Sequence, residues 1–161
     1  MAMGRNVLAA AVLSAVILSA AAVSLAGDSL SGLILRASDL PKGWGFARGN
    51  YTVSATASDF YSNYTTTYAE RAGASPVDKE FQSILGGPDR ANVFYLLFPD
   101  ESEAMRVMLF AQNLIWEGPA PSAAHPERIF SQGALLAIVS SADKGVLDRL
   151  EKAVRTRARK S

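Results

Sequence analysis

The sequence contains no cysteine and a single histidine. Without thiols there is no disulfide framework, no thiol redox chemistry, no cysteine-ligated metal and no lipid-modified cysteine anchor. The one histidine, His125, stands between Ala124 and Pro126, with no neighbouring His to complete a metal site and no recognisable Ser-His-Asp arrangement. Charge of one sign is lacking too: 16 Lys and Arg face 15 Asp and Glu. That balance argues against a general nucleic-acid binder, which carries a strong basic excess. No Gly-Lys-Ser/Thr follows Gly86-Gly87 and no dinucleotide-type glycine pattern occurs, so no phosphate-cradling loop is expected. The chain is therefore read as non-enzymatic, with no catalytic residues, cofactor or metal assigned.

What is present begins with an uncharged run, Asn6 to Gly27, behind a lone Arg5. Val7 to Ala26 is Val, Leu, Ile and Ala interrupted only by Ser14, Ser19 and Ser24, and a helix of that length spans about 30 Å, one hydrocarbon core. The same stretch has the basic start, apolar middle and small-x-small end (Ser24-Leu25-Ala26, or Ala20-Ala21-Ala22) of a secretory signal. Eight of its 20 residues are alanine, weakly apolar on insertion scales, which favours a cleaved signal over a retained anchor. Arg5 before the run and Asp28 after it place the amino terminus inside and the remainder outside. The expectation is a signal peptide or membrane helix over 1–26, reaching the membrane through residues 7–26 if uncleaved, and one extracytoplasmic domain over 27–161.

Along that domain, Leu30, Leu33, Ile34 and Ala37 recur at helical spacing behind Ser29, predicting a short helix. Asp39-Leu40-Pro41-Lys42-Gly43-Trp44 ends it in a turn. Tyr-, Thr- and Val-rich composition predicts strands over about 44–56 and 60–70, with a turn at Ser58-Asp59. Residues 71–90 read as a long connection holding a turn at Gly86 to Asp89, although Val77 to Leu85 has room for a short strand or helical turn. Ala91 to Phe98 is a continuous apolar run, hence a strand buried on both faces. Asp100, with Glu103 three residues on, caps a helix whose apolar face reads Met105, Met108, Leu109, Gln112, Ile115 and Trp116. The carboxylates Asp100, Glu101 and Glu103 are explained by that cap without a bound cation. Arg128 to Phe130 and Ala134 to Ser140 form a hairpin across Ser131-Gln132-Gly133. A last helix, capped by Ser140 or Ser141, presents Val146, Leu147, Leu150, Ala153 and Val154 as one stripe. The fold class is α+β: a largely antiparallel sheet of about five strands with two main helices on one face.

This order of elements, with DLPKGW at 39–44 and YLLFPDESEAMRVM at 95–108 behind an exported start, resembles small extracytoplasmic domains of unassigned function in prokaryotic lipoproteins and secreted proteins. The likeness covers residues 30–156. It implies an exported α+β domain and brings no catalytic residues with it. The absent lipobox cysteine departs from the lipoprotein members.

Candidate sites are surfaces rather than centres. Trp44, Tyr51, Tyr61, Tyr64 and Tyr68 offer an aromatic contact face; Asn50 and Asn63 head Asn-Tyr-Thr glycosylation acceptors, meaningful only in an exported chain. Basic residues Arg149 to Lys160 either complement a helix dipole and form a solvated tail, or meet anionic lipid heads or an acidic partner. The reading that follows is an extracytoplasmic binding module with a protein or cell-surface partner. A structural component of a surface assembly is the alternative, and a hydrolase-type enzyme stands last.

Overall fold

Residues 89–97 divide their side chains between two cores, and the other elements lie on either side of them. Val93, Tyr95 and Leu97 face one cluster, Phe94 and Leu96 the other, as the two-residue period of a strand requires. The computed structural model describes residues 30–47 and 69–160. Its sheet has five strands, β1 (Gly45–Phe46), β2 (Asp78–Gly86), β3 (Asp89–Leu97), β4 (Arg128–Gln132) and β5 (Leu135–Ser141). They run in the order β1-β2-β3-β5-β4, every neighbouring pair antiparallel. Among the described residues there are two long helices, α1 (Glu101–Ile115) and α2 (Lys144–Ala158). The α+β reading with a five-stranded antiparallel sheet is what the chain forms.

The helices pack on opposite faces, not on one. α2 places Val146, Leu147, Leu150 and Val154 against Val93, Tyr95, Ala137 and Val139; α1 places Ala104, Val107, Ala111 and Ile115 against Phe94, Leu96, Leu136 and Ile138. The reason is in the strands: β3 and β5 are apolar on both sides, and a single helical layer would leave one apolar face in water.

Four further differences have local causes. The predicted amino-terminal helix is two 3-10 turns, Leu30–Gly32 and Ala37–Asp39, because the chain between them is drawn out to bury Leu33 and Leu35. Within the stretch read as a connection, the segment given room for a short strand or helical turn is the nine-residue strand β2, joined to β3 through Gly87 and Pro88; Gly87 at φ 63° before a proline matches a type II′ hairpin turn. Residues 69 and 70, the end of a predicted strand, are helical together with Arg71, while the rest of the strand expected over 60–70 lies outside the described residues. The cap of α2 is Asp143, whose carboxylate accepts the Val146 amide at 3.1 Å, because Ser140 and Ser141 are still paired in β5. The predicted cap of α1 holds: Asp100 Oδ1 accepts the Glu103 amide at 2.9 Å.

No helix among the described residues is long and apolar enough to cross a membrane. The run at residues 7–26 lies outside them.

A basic cleft between the last helix and the amino-terminal segment

Helical periodicity sorts the charges of α2 onto two flanks. On one flank Lys144, Asp148, Glu151 and Arg155 neutralise one another. Lys144 Nζ meets Asp148, and Arg155 Nε lies 2.9 Å from Glu151. Arg128 of β4 joins both carboxylates at 3.0 and 3.5 Å, and the Arg155 guanidinium stacks 4.0 Å from the Phe130 ring centre. Hydrogen bonds from Lys144 and then Arg128 hold the Asp148 carboxyl below its ordinary range.

The other flank is not neutralised. Arg149, Lys152, Thr156 and Lys160 recur at i, i+3, i+7 and i+11, one stripe of a 3.6-residue helix. Among the described residues, Arg149, Lys152, Arg159 and Lys160 have no ion pair with a carboxylate, and all four are exposed. The stripe borders a cleft of about 460 Å³, closed on its far side by Gly32 and Asp39 of the amino-terminal segment. At the base, Arg157 Nε donates to Asp39 Oδ2, which also takes the Arg36 amide at 2.7 Å. Thr156 turns its hydroxyl proton to the Lys152 carbonyl at 2.7 Å, so the donors left for a ligand are the cations of the stripe.

Burial pushes the Asp39 carboxyl up, but the bonds and charges of Arg157 and Arg36 outweigh it and the net shift is downward. A depressed carboxyl stabilises the fold above its unfolded value near 4 and loses that contribution as pH falls through the folded value. Asp39→Asn is therefore expected to cost about 1 kcal/mol at neutral pH. The gap in urea midpoint between variant and parent should close near pH 2; a gap that persists there would show the loss is not electrostatic.

The wall carrying Gly32 and Asp39 is pinned to the sheet through a buried polar group. Tyr95, fully buried in β3, donates to Gln82 Oε1 at 2.6 Å and accepts the Leu35 amide at 3.3 Å. Gln82 Nε2 returns a bond to the Leu35 carbonyl at 3.0 Å. Burial drives the Tyr95 hydroxyl far above its usual value, so it stays a neutral donor. Asp39 and Trp44 lie in the DLPKGW stretch, which thus supplies the cleft's acidic wall and an anchor. Lys42 and Gly43 turn the chain there, with Gly43 at φ 85° and the Trp44 amide donating to the Pro41 carbonyl at 3.0 Å.

Of the residues expected to form a contact face, Trp44 is half-buried and packed against the core cluster on the α2 side. Tyr51, Tyr61, Tyr64 and Tyr68, with the acceptors Asn50 and Asn63, lie outside the described residues. His125 Nδ1 is 3.9 Å from Glu127 Oε2, a pair that carries opposite charges only when the histidine is protonated. Among the described residues no group of three or more His, Asp or Glu could hold a metal ion. The sequence reading found the basic residues but not their division: only the 149, 152, 156, 160 spacing separates the unpaired stripe from the neutralised flank. It also missed Asp39, whose partner Arg157 is 118 residues away.

No protein-family model matches the chain, and neither does any curated protein or solved structure.

Proposed function

We propose that this chain is an exported, non-catalytic binding module whose contact site is the basic cleft, and whose partner presents phosphate or carboxylate groups. Residues 1–26 act as its signal peptide or as a single membrane helix, and residues 27–161 form the extracytoplasmic domain. The observation that carries the reading is the asymmetry of α2. A helix that neutralises one flank with Asp148, Glu151 and Arg128 leaves Arg149, Lys152 and Lys160 without a carboxylate partner among the described residues on the other. Like charges at i, i+3 spacing repel, so the stripe costs stability until an anion meets it.

The test is thermal unfolding of the full chain in neutral detergent with inorganic tripolyphosphate. A ligand that binds only the folded state stabilises it by about 2.7 kcal/mol at a hundredfold excess over Kd. A saturable rise in Tm is expected, with at least tenfold weaker affinity in the triple variant Arg149→Gln, Lys152→Gln, Lys160→Gln. A parent protein whose Tm ignores the anion, or a triple variant that binds as well, sinks the reading.

The second reading, a structural component of a surface assembly, is favoured by one observation. Met105, Leu109 and Leu114 of α1, and Val77 just before β2, are 40–63% exposed, apolar surface that a neighbouring subunit would cover. Concentration-dependent growth of the particle in light scattering, with no response to the anion, would favour it.

A further inference from the structure

The geometry points to an anionic phospholipid surface as the partner of the basic stripe, so that α2 lies along the headgroups of the membrane from which the domain emerges. This rests on the proposed binding role of the cleft and adds the identity of what fills it.

Three observations choose a surface over a small anion. The stripe is a line rather than a nest: Arg149 to Lys160 runs 11 residue steps along α2 and just past its carboxyl cap Arg159, which at 1.5 Å per step is about 16 Å. A single phosphate cannot touch both ends, whereas a field of phosphates can. Nor is the strongest candidate for gripping a lone anion available, since Arg157 at the base is already bonded to Asp39. The third is position. Gly32 on the cleft's wall follows Ala26, the last residue of the apolar run, by six residues, about 20 Å of chain at most. Each headgroup layer is about 5–8 Å deep. The cleft is thus tethered within reach of the lipid phosphates whenever residues 7–26 occupy the bilayer.

Each cation near an anionic membrane surface strengthens contact about fivefold. Arg149, Lys152 and Lys160 together supply about a hundredfold, enough to hold α2 down rather than leave the domain swinging on its tether. Aligned in this way, α1 faces away from the membrane, because it packs on the opposite side of the sheet. Met105 and Leu109 are then presented outward.

The absence of cysteine allows single-site labelling. Thr156→Cys in the stripe and Asn113→Cys on α1, both exposed positions, are labelled with a fluorophore in the full chain. Each is mixed with phosphatidylcholine vesicles, with or without phosphatidylglycerol, that carry a headgroup quencher. The expected result is quenching at position 156 only with the anionic lipid. It should fall severalfold when salt is raised from about 0.1 M to 1 M, which shortens the screening length from about 10 to 3 Å, and disappear in the Arg149→Gln, Lys152→Gln, Lys160→Gln background. Asn113→Cys should stay unquenched throughout. Equal quenching on neutral lipid, quenching at position 113, or none at 156 overturns the assignment. So does release by millimolar phosphate at constant ionic strength, which would make a free anion the occupant. A tripolyphosphate-dependent Tm without quenching would leave the binding role standing and remove only the lipid; the loss of both would remove the two together.

Discussion

Replacing Gly86 by alanine is expected to destabilise the domain by about 3 kcal/mol, the upper end of an overpacking penalty combined with loss of the packing of a half-buried aromatic. A methyl group on Gly86 would lie 2.1 Å from Trp44 Cε2 and 2.3 Å from Cδ2. Those atoms belong to a rigid bicyclic ring, not to the end of a flexible chain, so the indole has to leave. Its departure also removes what sets β1 in place, since Gly45 and Phe46 pair with Leu85 and Ile84 immediately after the tryptophan. Tm should fall by roughly 10 °C for a domain of this size, and in a Trp116→Phe background the remaining emission should shift to the red. Gly32→Ala is the control: its added carbon would meet nothing within 4 Å. Because β1 continues the segment bearing Asp39, the variant should also lose anion affinity although no residue of the stripe has changed. Unaltered Tm and emission would mean that Trp44 does not pack on Gly86.

The same residues explain what was legible in the sequence. DLPKGW reads correctly as a turn, since proline and glycine fix backbone angles locally. The Asp100 cap and the Val146, Leu147, Leu150, Val154 stripe are legible for the same reason: each is a pattern within one element. β2 is not, because Asp78 to Glu80 are exposed and charged and the strand is defined by its nine-residue pairing with β3, a tertiary fact. The face assignment failed for a related cause. Sequence shows that β3 and β5 are apolar throughout, but which helix covers which side depends on chain direction after each strand. At the cleft, the cations are readable and the wall opposite them is not, because Asp39 meets Arg157 only when the amino-terminal segment is laid beside α2.

The phase of α1 gives the sharpest contrast between pattern and packing. Choosing the helix face by side-chain size puts Met105 and Leu109 inside; in the fold they are 45% and 51% exposed, while Ala104, Val107 and Ala111 are wholly buried. The sheet beneath supplies the bulk, with Phe94, Leu136 and Ile138 pointing at the helix and Phe98 just beyond the end of β3. Large residues below call for small ones above if the layers are to reach core density. Ala111→Leu is accordingly expected to cost about 3 kcal/mol by overpacking. It would lift the carboxyl half of α1 and strain the bonds that tie it to β4 and the preceding loop, Gln112 Nε2 to the Ile129 carbonyl at 2.8 Å and Trp116 Nε1 to the Glu127 carbonyl at 3.0 Å. Leu109→Gln, on a half-exposed position, should fall within about 0.5 kcal/mol of the parent. The opposite phase makes the opposite forecast: burying a glutamine in place of Leu109 would cost about 2–4 kcal/mol, and a leucine at an exposed 111 would change little. Urea unfolding of the two variants side by side decides between them, because no common error in the reference state can exchange their order.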